Sequence, residues 1–328
     1  MVSIKDVATE AGVAISTVSK VLNNYPNVSK DTKEKVNAAI NKLGFVPNKV
    51  AQALSSKSTG RVAVLINDRT NLSIDEIDMR YLAGAIPKAR ELGMDVITLF
   101  FSMIEEKDVA EISVYLKSQS VEGLVIFGLS KDDKAILDLV KKGDFKTVLV
   151  DAPLVNEATS CVWVDQYQAQ MDVAKELLKM NTPKKLLYLA GKDNSFVAEL
   201  RLKAIKDLAK AKKLKLCVEK ADFSEKKARE IVMEKGEEYD GIVCSSDLCA
   251  IGAMRALIDL DIFRPVCGFD GLTLMGYAGK QMLTVKQDFV QIGAGALEEV
   301  CRLLTGENGR EVILPHEVVR IEYLDVIK

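Results

Sequence analysis

Between Gly12 and Asn24 the chain reads GVAISTVSKVLNN, which sets Ser16, Thr17, Ser19, Lys20 and Asn23 among small apolar residues. Hydroxyls and amides on such short stems offer hydrogen bonds close to the backbone, and the lysine adds a positive charge. Carried on one short helix, this set suits docking against a polar, anionic surface rather than covalent chemistry. The charge distribution points the same way. Residues 1–60 hold eight Lys, no Arg and four acidic residues, net +4, whereas the remainder holds 37 basic and 43 acidic residues, net −6. A basic head on an acidic body is expected to meet an anion.

Other reactive residue types are scattered. The six cysteines (Cys161, Cys217, Cys244, Cys249, Cys267, Cys301) form no CxxC pair. They are expected to be small buried hydrophobes in a reducing compartment. The single histidine, His316, stands beside Pro315 and is expected to be structural. No zinc-ligand spacing, phosphate loop or nucleophile–base pair occurs, so neither an enzyme nor a bound metal or cofactor is expected. Met1-Val2-Ser3-Ile4-Lys5-Asp6 leads directly into an amphipathic pattern without an apolar signal region. No apolar run reaches membrane-spanning length, and a cytoplasmic location is expected.

The elements that position the polar set follow from caps and periodicity. Ser3-Ile4-Lys5-Asp6 has the form of a capping box and starts a helix with Ile4, Val7, Ala8 and Ala11 on one face. Gly12 is placed to end it. A second helix starts near Ile15 with Val18, Val21 and Leu22 facing inward. Ser29 caps a third, with Val36, Ile40 and Leu43 at helical spacing and Gly44 as its stop. Two short helices joined by a tight turn and braced by a third make a helix-turn-helix pattern. A short helix over Asn48–Ser56 and a linker Lys57–Gly60 are expected to follow.

The whole chain, 328 residues with 48% hydrophobic composition, is long enough for more than one domain. Beyond Gly60, short β-rich runs alternate with amphipathic helical stretches: 62–66, 95–100, 123–127, 147–150, 186–190, 215–218, 241–244 and 266–269. Such alternation predicts parallel sheets with helices on both faces. Val121–Ile126 loosely echoes Tyr239–Cys244, and Arg61–Asp68 echoes Lys185–Asp193. Two similar α/β lobes with a ligand cleft at the C-terminal ends of their strands fit this pattern. Trp163 falls in an apolar strand and is expected in the core.

Through the head stand Asp6-Val7-Ala8, Ala11-Gly12-Val13, Thr17-Val18-Ser19, Val21-Leu22-Asn23, Val28-Ser29, Thr32, Leu43-Gly44-Phe45 and Pro47-Asn48. In these residues the head resembles that of the LacI/GalR family of bacterial transcription regulators. The body resembles the family at Val164-Asp165, Arg201 opening a helix, Ser246-Asp247, Gly252-Ala253, Gly268-Phe269-Asp270 and Leu283-Thr284-Val285. The resemblance implies an α/β protein with an N-terminal helix-turn-helix head and a two-lobed, periplasmic-binding-protein-like body with parallel sheets. Residues 1–47 would form the DNA-binding domain, 48–60 a hinge helix and linker, and 61–328 the effector-binding and dimerisation domain.

In this family the second helix enters the DNA major groove. Ile15, Ser16 and Lys20 would then read bases, and Thr17, Ser19 and Asn23 would mostly anchor phosphate. The two caps, Ser3 and Ser29, join the DNA-contacting set. Where the family usually places a capping Ser stands Ala14, so the second helix is expected to shift or fray at its start, at a cost of about 1 kcal/mol. Asn48, Ala51 and Leu54 match the hinge helix, with Leu54 as the minor-groove wedge and Ala51 packing beside it.

For the cleft, the resemblance implies effector contacts from Arg201, Asp270, Asp151 and an aromatic face at Phe223. Asn67 and Asp68 would contribute from the first lobe, and Ser246 stands where the family commonly has Asn. Asp247 is expected to cap the helix beginning at Leu248. Two acids and an arginine favour a sugar or sugar phosphate, although a purine or nucleoside could use the same groups. A homodimeric, effector-controlled regulator, most often a repressor in this family, is the leading expectation, with a pseudo-palindromic duplex as its partner. The ending Asp325-Val326-Ile327-Lys328 has no trailing heptad helix, which favours a dimer over a tetramer. Control by a protein partner, as in carbon-catabolite members of the family, is the alternative, and a solute-binding protein on the same scaffold is the remaining one.

Overall fold

The computed structural model describes residues 2–22, 25, 28–45, 61–68, 75–180 and 182–327. They fall into two compact units, Met1–Gly60 and Arg61–Lys328.

Among its described residues the first unit contains three helices: α1 (Ile4–Ala11), α2 (Ile15–Leu22) and α3 (Lys30–Leu43). The capping box forms as expected. Ser3 Oγ accepts from the Asp6 N–H at 3.4 Å, and the Asp6 carboxylate accepts from the Ser3 N–H at 2.8 Å. Gly12 ends α1 at φ 65°, a conformation that glycine adopts without a Cβ penalty. Ser29 Oγ accepts from the Thr32 N–H at 3.4 Å to cap α3, and Gly44 closes it. α2 begins at Ile15 despite Ala14, so the expected shift is absent. The Ala14 carbonyl accepts from Thr17 and Val18 at 2.9 and 3.2 Å and holds the first turn in place. Val7, Ala8, Val18, Val21, Val36 and Ala39 are buried together, flanked by Ile4, Ala11, Leu22, Ile40 and Leu43. Lys42 pairs with Glu10 at 2.7 Å and ties α3 to α1.

The second unit is built on two six-stranded sheets. The first is made by β1 (Arg61–Ile66), β2 (Val96–Phe100), β3 (Val121–Phe127), β4 (Lys146–Val150), β5 (Thr159–Val164) and β11 (Glu311–Leu314). It runs β11-β5-β4-β3-β1-β2, parallel throughout. The second is made by β6 (Lys185–Ala190), β7 (Lys215–Lys220), β8 (Gly241–Cys244), β9 (Val266–Cys267), β10 (Met282–Gln287) and β12 (His316–Ile321). Its order is β12-β10-β9-β8-β6-β7, with only β12 antiparallel to its neighbour.

The strands are almost continuously apolar. β3, β5 and β8 bury nearly every residue, as sheets covered on both faces require. β9 is shorter than its apolar run 266–269, because the backbone bends at Phe269, and Asp270 then lines the cleft.

The chain crosses between the lobes three times, after β5, after β10 and after β11. After β10 the helix Phe289–Leu304 returns to the first lobe and lies against the helix Asp75–Glu91. Their backbones approach closely enough that a Cβ on Gly84 would fall 1.9 Å from the Val290 carbonyl oxygen, and one on Gly293 2.1 Å from that of Tyr81. Only glycine permits this contact, which fixes Tyr81 and Phe289 relative to one another at the cleft floor.

Trp163 is buried in β5. Cys161, Cys244, Cys249 and Cys267 are buried, Cys217 and Cys301 are half-buried, and all six are free thiols. His316 Nε2 lies 3.2 Å from Asp172 and pins β12 to the helix Gln166–Met180. No described helix is long and apolar enough to cross a membrane. Among the described residues no cluster of His, Cys, Asp or Glu could hold a metal ion.

Candidate functional site

On the head, α2 turns Val18 and Val21 into the core and leaves Ile15, Ser16 and Lys20 exposed, with Thr17 and Ser19 half-buried. Ile15 is 47% exposed, although a β-branched side chain gains nothing from water. One face of α2 therefore presents an apolar group, a hydroxyl and an ammonium together, the mixture a major-groove edge requires. Ser3 and Ser29 are exposed at the starts of α1 and α3, their hydroxyls engaged by Asp6 and Thr32. Asn23, Asn48, Ala51 and Leu54 lie outside the described residues, as does the whole expected hinge, 48–60.

In the body a cavity of about 440 Å³ opens between the lobes at the C-terminal ends of the strands. Asn67, Asp151, Arg201, Phe223, Ser246 and Asp270, six of the seven expected cleft residues, line it. Asp68 does not. Its carboxylate accepts hydrogen bonds from the backbone and hydroxyl of Ser102 and ties the end of β1 to the turn after β2. Asn67 donates to the Gly128 carbonyl at 2.8 Å, which brings the ends of β1 and β3 together.

Arg201 does not open its helix. Ser195 caps that helix, Phe196–Lys212, and Arg201 sits a full turn further in, 4% exposed. Its Nε donates to Gln166 Oε1 at 2.9 Å and its Nη1 to the Ser245 carbonyl at 2.5 Å. The guanidinium lies 3.6 Å from the Phe269 ring centroid, and Nη2 is 3.7 Å from Asp270. Gln166 relays the link onward, because its Nε2 donates to Asp151 at 3.0 Å. The Tyr81 hydroxyl donates to the other oxygen of Asp151, also at 3.0 Å. Tyr81 is itself stacked on Phe127 at 4.5 Å and meets Phe289 edge-on at 5.3 Å. Gln287 Nε2 donates to Asp270 at 3.2 Å.

Asp247 is tied into the same region but does not cap the helix after it. Ser246 caps that helix by accepting from the Cys249 N–H at 3.3 Å. Asp247, wholly buried, accepts from the Leu272 N–H at 2.7 Å and the Thr284 hydroxyl at 2.5 Å.

Three carboxylates, Asp247 and Asp270 buried and Asp151 half-buried, thus surround one guanidinium. Desolvation pushes the Asp270 carboxyl up to about 8 and that of Asp247 up to about 6, with Arg201 opposing both. Asp151 is raised for the same reason, opposed by Arg201 and by its bonds to Tyr81 and Gln166. The backbone is held in unusual conformations here, with φ 60° at Asp151, 61° at Phe223 and 128° at Asp270. Such concentration of strained non-glycine residues at one place marks a site whose geometry outranks local preference. Phe223 lies directly over Gly191, where a Cβ would stand 2.2 Å from its ring.

Both rims of the cleft are bridged. Arg80 donates to the Thr273 hydroxyl at 2.8 Å, and the Thr273 N–H donates to Glu76 at 3.1 Å. On the other rim the Lys131 N–H donates to the Asn194 carbonyl at 2.8 Å, and Asn194 Nδ2 donates to Asp132 at 2.5 Å.

Family models match both the head and the body. The family model described as bacterial regulatory proteins, lacI family, matches residues 3–48. The one described as periplasmic binding proteins and sugar binding domain of LacI family matches residues 79–320. The chain belongs to the LacI family. It is a DNA-binding transcription regulator with an effector-binding body, and not an enzyme.

This LacI-family chain is 29% identical to the HTH-type transcriptional regulator RegA of Clostridium saccharobutylicum, over 98% of each sequence. It is 30% identical to catabolite control protein A of Staphylococcus xylosus, over 100% of this chain and 99% of the relative. In fold it is similar to a lac repressor dimer bound to operator and the anti-inducer ONPF, with a TM-score of 0.81, 24% identity and coverage of 98% and 99%. A complex of the transcriptional regulator CelR with cellobiose gives a TM-score of 0.70 at 22% identity, with coverage of 98% and 99%.

The LacI-family cleft contains residues that sequence reading passed over: Tyr81, Gln166, Gln287 and Phe289. Two of them adjoin motifs already noted, since Gln166 follows Val164-Asp165 and Gln287 ends the strand containing Leu283-Thr284-Val285. A polar residue directly after a buried parallel strand was the available signal.

Proposed function

We propose that this regulator is a homodimeric repressor acting in the cytoplasm. Two heads (residues 1–47) read a pseudo-palindromic operator, and the hinge and linker (48–60) couple them to the body. The body (61–328) dimerises and holds a polyhydroxylated effector between its lobes. One observation carries the reading. A basic head exposes Ile15, Ser16 and Lys20 on α2, and the same chain sets Arg201, Asp151 and Asp270 around a cavity of about 440 Å³. The first arrangement suits base edges and phosphates. The second suits hydroxyl groups, which donate to carboxylates and accept from a guanidinium. The relatives named above are themselves regulators, and one fold neighbour is described with a sugar, cellobiose.

The test joins two titrations on the full chain. Operator-like duplexes selected from random sequence should show dimeric binding that weakens steeply with salt through counterion release. A thermal-shift screen of sugars, sugar phosphates and purines should raise the melting temperature of the protein with one class, because a ligand bound only to the native state stabilises it. That ligand should then change operator affinity. A monomer at micromolar concentration with no DNA shift would overturn the reading.

A further inference from the structure

On one rim of the cleft a side chain that belongs to the second lobe packs in the first. Phe196 opens the second-lobe helix Phe196–Lys212, which Ser195 caps by accepting from the Ala198 N–H at 3.3 Å. Its half-buried ring packs against the first-lobe core cluster that contains Leu65, Ile126, Leu129, Ile136 and Ala152. Leu129 and Phe196 both line the cavity, so the two lobes share an apolar contact at the cleft wall. Polar contacts surround it. The Lys131 N–H donates to the Asn194 carbonyl at 2.8 Å, Asn194 Nδ2 donates to Asp132 at 2.5 Å, and Lys131 Nζ pairs with Glu199. The same ammonium stands 5.6 Å from the centroid of the Phe196 ring.

Magnitudes rank these contacts. The Lys131–Glu199 pair is exposed on both sides, 39% and 66%, so it shifts a two-state balance by no more than about fivefold and is screened by salt. Taking part of a phenyl ring out of water is worth about tenfold. We propose that Phe196 is the bolt of the cleft: seated in the first lobe it holds the two lobes together, and an effector enters or leaves only when it withdraws. The second half of this statement rests on the reading of the cleft as the effector site, and the first half does not. Lys131 lies over the ring, so the ion pair adds to the apolar contact. Because Asn194 and Phe196 also line the cavity, a bound ligand meets residues that close the rim and biases the balance between open and closed lobes through them.

The experiment is amide hydrogen exchange on the full chain with no sugar added, so its outcome does not depend on which effector the cleft takes. Two amides span the lobes. The Lys131 N–H donates to Asn194 on this rim, and the Thr273 N–H donates to Glu76 on the other. The Ser102 N–H, bonded to Asp68 inside the first lobe, is the control. Phe196→Ala should speed exchange at Lys131 and Thr273 together by about tenfold and leave Ser102 unchanged. Glu199→Gln, a change on an exposed side chain, should speed Lys131 by no more than about fivefold and flatten its dependence on salt. Acceleration at Lys131 alone in Phe196→Ala would mean local fraying and would overturn the inference. So would no change at either spanning amide, an equal acceleration at Ser102, or a larger effect from Glu199→Gln than from Phe196→Ala. Any of these leaves the effector reading standing, whereas a thermal-shift screen without a single ligand overturns that reading and leaves Phe196 as the contact that holds the lobes.

Discussion

Arg201 Nη2 lies 3.7 Å from the Asp270 carboxylate, yet the Nε and Nη1 of the same guanidinium are bonded to Gln166 and the Ser245 carbonyl. The arginine is therefore a structural counter-ion before it is a ligand contact. Removing it takes the guanidinium away from Asp247 and Asp270, which are buried, and from the half-buried Asp151. Arg201→Ala should lower the unfolding free energy of the body by about 3–5 kcal/mol, the usual loss when one partner of a buried pair is removed. Effector binding should vanish with it. Denaturant unfolding followed by calorimetry checks both. Unchanged stability would mean that the carboxylates are not relying on Arg201.

The same cluster sets a pH dependence. The Asp270 carboxyl is raised from its ordinary 3.8 to about 8, mainly by burial. Between these values the native state holds a proton that the unfolded chain has released, so stability falls as pH rises. Asp270→Asn fixes the neutral form. Wild type should therefore lose stability relative to this variant as pH climbs from about 4 to about 8, with little further change above. Asp247 and Asp151 shift in the same direction and both charges act on Asp270, so the difference reports Asp270 together with its coupling to them. Paired melts across this range decide the matter, and a constant gap would contradict the assignment.

Gly191 offers a test of the aromatic wall. A Cβ there would stand 2.2 Å from Phe223 Cζ, so the ring must move. Gly191→Ala should cost about 1–3 kcal/mol of stability by overpacking. It should also weaken effector binding through a misplaced ring while leaving operator affinity unchanged. Anisotropy with operator and calorimetry with effector separate the two effects.

How far these features could be read in advance depended on their range along the chain. The head was legible because its signals are local. Ser3 and Asp6 are three residues apart, Gly12 stops the helix they start, and Val18, Val21 and Leu22 repeat at helical spacing. The alternating strands and helices of the lobes were legible for the same reason. The three crossings were not. Nothing within Phe289–Leu304 says that it must lie against Asp75–Glu91 in the other lobe, because that pairing is encoded by Gly84 and Gly293, two hundred residues apart in order of magnitude. Tyr81 and Gln287 were missed likewise, since uncharged residues become site residues only through where the fold puts them. Asp68 was misplaced because adjacent residues at a strand end point in opposite directions, and Asn67 took the cleft.

On the head, Ile15 separates base reading from phosphate anchoring. It is 47% exposed at the start of α2. An apolar side chain there suits a thymine methyl. Ile15→Ala should weaken operator binding by about 1–3 kcal/mol, the usual value of one base contact, and leave the salt dependence unaltered because no charge is lost. Lys20→Ala should instead lower the salt slope by about 1 if it also meets phosphate. Titrations at several salt concentrations distinguish these outcomes. An Ile15→Ala loss shared equally by scrambled DNA would rule out base reading.

Leu54 lies outside the described residues, within the expected hinge. The segment Asn48–Ser56 is too short to hold a helix alone in water. Its apolar surface is confined to Val50, Ala51, Ala53 and Leu54. It should therefore order only when two hinges pack against each other on DNA, with Leu54 inserted between base steps. Unstacking a step costs a few kcal/mol, offset by the contacts that a bent duplex allows. Effector in the cleft need only change the separation of the two first lobes to favour or oppose that ordering, which is a coupling free energy between distinct sites. Leu54→Ala should accordingly weaken operator binding much more than binding to scrambled duplex, and effector affinity of the free dimer should hardly change. Equal losses on both duplexes, or no loss on either, would show that Leu54 is no wedge and that residues 48–60 serve only as a tether.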